Sequence, residues 1–181
     1  MSITVPKKFH IRLHRWCVKY LAKGITKSLG CETIIAGSYR RGKRFCNDID
    51  IVVISDMSNE DLDLRMANAG WRMHTYGARS STNVIRRQYY RRYKLLNIKK
   101  YIIVDIMPAN LDNLGNVLLF ATGSRQHNDK IRKHLSSIGW TWKNPRFFVN
   151  LVTNEQVSFK TELEVYNYLG KSYLEPEERY V

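Results

Sequence analysis

The chain has 181 residues, 44% of them hydrophobic, which is enough for a real core in one domain or two small subdomains. Its formal net charge of +14 and sequence pI near 9.8 point to a polyanionic partner, nucleic acid before any other. No apolar run approaches the ~20 residues of a membrane-spanning helix, and the N-terminus lacks a signal-peptide pattern, so the expectation is an intracellular chain that meets no membrane. Three cysteines, Cys17, Cys31 and Cys46, make no C-x-x-C pair and no zinc-spaced set with histidine. Reduced thiols are expected, with a Cys31–Cys46 disulfide left open.

In chain order, residues 7–29 predict a helix, with Phe9, Leu13, Trp16, Val18, Tyr20, Leu21 and Ile25 between basic residues and Gly30 as the stop. Thr33–Ala36 reads as a short strand. The stretch Gly37 to Asp50, GSYRRGKRFCNDID, follows and has two chemically different halves. Gly37-Ser38-Tyr39-Arg40-Arg41-Gly42 is a small-residue turn whose backbone N–H groups suit anionic oxygens, followed by guanidinium forks that suit phosphate. Asp48-Ile49-Asp50 opens the β-branched run Ile51–Ile54, a buried strand on which the two carboxylates point to one side. Two such carboxylates repel unless a hard divalent cation joins them.

Ser58 predicts the cap of a helix to about Ala69, with acids in its first turn and Gly70 at its end. Residues 64–104 contain no Asp or Glu but ten Lys or Arg. Within them Val84–Leu95 alternates as a strand, one face carrying Arg86, Gln88, Tyr90 and Arg92, the other Arg87, Tyr89, Arg91 and Tyr93. Arg86, Arg87, Arg91 and Arg92 are therefore candidate contacts to a phosphate backbone, against the alternative of a solvated sheet edge. Tyr101–Pro108 is a third apolar strand with one carboxylate, Asp105, which is costly there unless paired or metal-bound. Composition shifts after Ala109. Asn110–Phe120 reads as a helix, and Asn128 and Arg132, spaced i and i+4, share the face of a later one. His10, His14, His74, His127 and His134 show no metal-site spacing. Trp140, Trp142, Phe147 and Phe148 read as strand and core. Thr161 and Glu164 form a capping box for a short helix to Leu169.

The GS turn with D-x-D eleven residues after its glycine, at the head of an apolar strand, resembles the polymerase-beta-like nucleotidyltransferase superfamily. GSYRRGK is similar to the family X DNA polymerases in particular. Phe120-Ala121-Thr122-Gly123-Ser124 resembles that family's tyrosine-phenylalanine-threonine-glycine-serine segment, and YLEPEERYV its C-terminal close. The resemblance implies an α+β fold: a nucleotidyltransferase palm (1–109), a mixed sheet with helices on one face, and a small α/β C-terminal subdomain (110–181). Only 36 residues precede Gly37, so a reduced layout without the N-terminal domains of larger members is expected, similar to that of a short viral member. An arginine usually stands two positions before the third aspartate; here that place is Ile103, so either another basic residue orients Asp105 or the aspartate is less constrained.

The resemblance implies catalysis and metal binding by Asp48, Asp50 and Asp105, which would hold two Mg²⁺ ions, with Mn²⁺ as a substitute. It assigns the triphosphate to Gly37, Ser38, Arg41 and Asn47. Sugar and base fall to Phe120, Thr122, Gly123 and Asn128, and the template to Arg132. Ala121 would leave a roomier wall beside the nucleotide, and Asp129 would repel a template phosphate. The expected activity is templated, low-fidelity transfer from a dNTP to a primer 3′-hydroxyl, on gapped or primer-template DNA, by a monomer serving repair. The alternatives are an untemplated terminal transferase, a non-catalytic nucleic-acid-binding protein and a basic chaperone.

Overall fold

The computed structural model describes residues 10–73, 86–93 and 100–179. Expectations for residues 7–9, His74, residues 84–85 and 94–95, the Tyr93 side chain and the last two residues lie outside that set.

A five-stranded mixed sheet carries the first half of the chain, in the order β2-β4-β7-β6-β5. Its strands are β2 (Glu32–Ile35), β4 (Ile49–Ile54), β5 (Arg72–Met73), β6 (Arg87–Tyr93) and β7 (Lys100–Ala109). β4 and β7 run parallel, and the other neighbours antiparallel. Helices α1 (Arg15–Leu29) and α3 (Asn59–Asn68) cover one face through Val18, Ile25, Leu29, Leu62 and Met66, packed on Ile49, Ile51, Val53, Val104 and Ile106. The other face is partly closed by α4 (Leu114–Thr122), where Val117 and Ala121 meet Val52 and Met107. A second core lies after residue 118, among α5 (Arg125–Ser137), α6 (Glu162–Tyr168) and the antiparallel strands β8 (Trp140–Asn144), β9 (Phe147–Asn150) and β10 (Gln156–Val157).

Local chemistry sets the ends of these elements. Ser58 Oγ accepts from the Asp61 N–H at 3.1 Å, Thr161 and Glu164 cap each other reciprocally, and Gly30 closes α1 at φ 66°. Two helices begin later than their apolar periodicity suggests. α1 starts at Arg15 because Leu13–His14 pair as a strand, β1, with β3 (Phe45–Cys46). α4 starts at Leu114 because Asn110 and Asn113 accept each other's backbone N–H at 3.1 Å, a turn that competes with helix. All three cysteines are free thiols, so the Cys31–Cys46 pairing is not made.

Candidate active site

The strand register brings the acids together. Asp50 on β4 lies beside Asp105 on β7, and Asp105 opposite Gln88 on β6. Asp48 stands in the bend just before β4, close enough for the Asp105 charge to act on it. Asp105 is fully buried. Burial raises the Asp50 carboxyl well above its usual range, and the neighbouring charges of Asp48 and Asp105 add to this. Asp48 is raised for the same reasons, burial first and Asp105 second, while Arg86, His10 and Arg41 pull it back.

Asp105 is already held. Arg86 donates to its Oδ2, and Gln88 Nε2 donates to Oδ1 at 2.7 Å. Arg86 thus supplies, from the neighbouring strand, the basic partner absent at Ile103. The alternation of β6 puts Arg86 and Gln88 on one face, but only the β6–β7 register shows that this face meets Asp105. No three acidic, histidine or cysteine side chains among the described residues are gathered into a cluster that could hold a metal ion.

Gly37 opens the one-turn helix α2 (Gly37–Arg40), whose first residue sits directly against Asp50. Ala36 N–H donates to the Asp50 carbonyl at 2.8 Å. Gly37 has φ 56°, and a Cβ there would stand 1.8 Å from Asp50 Oδ2, so only glycine lets the turn approach so closely. Ser38 Oγ is buried with no hydrogen-bond partner among the described residues. Asn47 is exposed at the mouth.

The same turn fastens the second half of the chain. Arg41 donates to the Thr122 carbonyl, and Arg40 reaches Thr122 Oγ1 at 2.8 Å and both oxygens of Glu162 at 3.0 and 2.7 Å. Arg179, fully buried, adds a 2.6 Å bond to the same carboxylate. Burial alone would raise Glu162, but hydrogen bonds from Arg40 and Arg179 outweigh it and hold the carboxyl low. Glu162 was not expected at all, and Arg179 only as part of the C-terminal motif; a buried partner 122 positions from Arg40 leaves no local signal.

Thr122 is buried, and Gly123–Ser124 is a cis peptide at the head of α5. Asn128 Nδ2 donates to the Phe120 carbonyl at 2.9 Å, while its buried Oδ1 has no partner among the described residues. Arg132 bonds Asp129 at 2.8 Å and lies 5.6 and 5.7 Å from the Phe120 and Trp142 rings. Asp129 therefore meets Arg132 rather than open space. Ala121 packs into the shared core with Val52 and Met107.

Two family comparisons bear on this geometry. The DNA polymerase beta palm model matches residues 5–92, and the DNA polymerase beta thumb model matches residues 117–180. The chain belongs to the family X polymerase-like nucleotidyltransferases. The palm match takes in the α2 turn, Asp48 and Asp50; Asp105 falls between the two matches. The thumb match takes in Thr122, Asn128, Arg132, Glu162 and Arg179, so the Arg40–Glu162–Arg179 cluster ties palm to thumb.

The basic strand of this palm differs from its sequence reading in two of four arginines. Arg86 is engaged by Asp105. Arg87 makes two bonds to Asp63 of α3, which also accepts from Tyr89 O–H at 2.6 Å. Asp63 and Asp105 are the residues that bound the acid-free run 64–104, and the fold bends both back onto it. Arg91, 5.9 Å over the Trp71 ring, and Arg92 remain exposed.

Proposed function

We propose that this palm and thumb form a DNA-directed DNA polymerase that adds a dNTP to a primer 3′-hydroxyl and fills short gaps with low selectivity. The observation that carries it is Asp50 beside Asp105, with Asp50 pressed against a glycine turn that admits no side chain. The donor set is that of a hard divalent cation, three carboxylates of which Asp48 and Asp50 are raised by burial first and by neighbouring carboxylate charge second, although they are not gathered into a metal-holding cluster while Asp105 is held by Arg86 and Gln88. Two Mg²⁺ ions, or Mn²⁺, held by Asp48, Asp50 and Asp105 would neutralise the triphosphate and acidify the primer hydroxyl.

The remaining chemistry belongs to the chain. Gly37, Ser38, Arg41 and Asn47 hold the triphosphate, with the orphaned Ser38 hydroxyl turned to an oxygen of it. Phe120, Thr122, Gly123 and Asn128 seat the sugar and base, with Asn128 Oδ1 free for a donor. Asp105, released from Arg86, takes the proton of the 3′-hydroxyl. The 3′-oxygen bonds to the α-phosphorus as the bond to the bridging oxygen breaks and pyrophosphate leaves. Catalysis here is positioning and charge placement. Arg91 and Arg92 contact the DNA backbone, and Arg132 reads the template once it leaves Asp129.

The Arg132–Asp129 pair favours a second reading, an untemplated transferase in which Arg132 stays engaged. Single-nucleotide extension of a labelled primer on gapped duplex and on single strand, with Mg²⁺, decides between them. Incorporation that follows the template base on the gap is expected. Equal use of all four nucleotides would establish the second reading. Retention of more than about a tenth of the rate by Asp105→Ala, a loss under ~1.4 kcal/mol, would remove the carboxylate assignment from both.

A further inference from the structure

A second basic surface lies outside the acid site. α1 contains no Asp or Glu, and its outward face carries Trp16, Lys19, Tyr20, Lys23 and Lys27. Trp16 and Tyr20 are 66% and 76% exposed, one helical turn apart, in a helix whose inward face already fills the core. Lys23 and Lys27 follow at the same spacing. A groove of about 1280 Å³ runs between this face and the open end of the sheet. Tyr20, Lys23 and Lys27 form one wall, and Arg72, Arg91 and Arg92 the other, with no Asp or Glu in the lining. Lys23, Lys27, Arg72 and Arg92 make no ion pair among the described residues.

We propose that this groove binds single-stranded nucleic acid, with the backbone between the two rows of cations and bases stacked on Tyr20 and Trp16. A cleft lined by five cations repels itself until a polyanion enters, and one sign of charge between low-dielectric walls concentrates such a partner. Exposed rings can stack only on bases that are not already stacked, which single strands offer and duplexes do not. An acidic peptide would satisfy the cations but leave the rings without a planar partner. Arg91, 5.9 Å over Trp71, is pinned in place to meet the backbone. In a polymerase the occupant would be the unpaired template; that assignment rests on the proposed function, whereas the binding itself does not.

The test uses the whole chain and a fluorescent oligothymidylate, read by anisotropy across a salt series, beside a blunt duplex. Lys23→Ala/Lys27→Ala should lower the log–log salt slope for the single strand by about 1.4, because each lysine–phosphate pairing accounts for ~0.7 of it. Tyr20→Ala should weaken binding at least about fivefold with little change in slope. Both changes are on an exposed helix face where alanine favours the helix, and circular dichroism checks the fold. The duplex should be affected less in each variant. Unchanged single-strand affinity and slope in both variants, or an equal loss on the duplex, would overturn the proposal. The anisotropy reads binding without nucleotide or incorporation, so a failure of the polymerase reading leaves this result standing and the reverse holds too.

Discussion

Replacing Gly37 by alanine tests the closest approach in the site. The new Cβ would lie 1.8 Å from Asp50 Oδ2, and reaching 3.0 Å means a retreat of about 1.2 Å by the carboxylate or the turn. Gly37 also has φ 56°, where a side chain costs about 1–2 kcal/mol. Overpacking adds roughly 1–3 kcal/mol. The expected loss of stability is therefore about 2–5 kcal/mol, or a melting temperature lower by roughly 4–20 °C for a chain of this size. A carboxylate displaced by about 1 Å should also cut incorporation about 100-fold in the folded fraction. The assays are thermal melts and single-turnover incorporation on gapped DNA at a temperature where the variant is folded. A double-mutant cycle isolates the clash: in an Asp50→Gly background it has no partner, and Gly37→Ala should cost only the ~1–2 kcal/mol of its backbone. Equal stability cost in both backgrounds, or activity within about threefold of the unmutated chain, would refute the reasoning.

Four further outcomes are expected. Glu162→Gln leaves the buried Arg179 and the half-buried Arg40 without their counter-charge and should cost about 3–5 kcal/mol by denaturant titration. Because Glu162 is held below its ordinary 4.5, its contribution is present above that pH and lost as pH falls through the lower folded value; the variant should lack this acid limb. Asp50 has the opposite sign: raised well above 3.8, it favours the fold at low pH and opposes it as pH rises through the folded value, so without divalent ion the melting temperature should fall over that range. Added Mg²⁺ should restore it, and Asp50→Asn should abolish both the slope and the Mg²⁺ gain. Arg86→Ala should lower the incorporation rate while leaving the salt slope for duplex DNA unchanged; a slope reduced by about 0.9 with an unchanged rate would make Arg86 a phosphate contact instead. Asp129→Ala frees Arg132 and should improve selection of the templated base in single-nucleotide kinetics; unchanged selection would separate Arg132 from template reading.

Short-range chemistry is what the amino-acid sequence by itself determined. The caps at Ser58 and Thr161, the stop at Gly30 and the apolar strands at Ile49–Ile54 and Tyr101–Pro108 all depend on neighbours a few residues away. The Gly37–Asp50 stretch was legible for the same reason, since turn and carboxylates are joined by one short segment. Tertiary structure decided which charges meet. Arg86 and Arg87 read alike in a basic run, yet the sheet register gives one to Asp105 and helix packing gives the other to Asp63. From the sequence only Arg41 is assigned to the triphosphate, yet it donates to the Thr122 carbonyl, while Arg40 beside it reaches Thr122 Oγ1 and Glu162. A guanidinium takes any carboxylate or carbonyl within reach, so its partner is set by which strands and helices the fold brings alongside, and that is not written within a few residues of it.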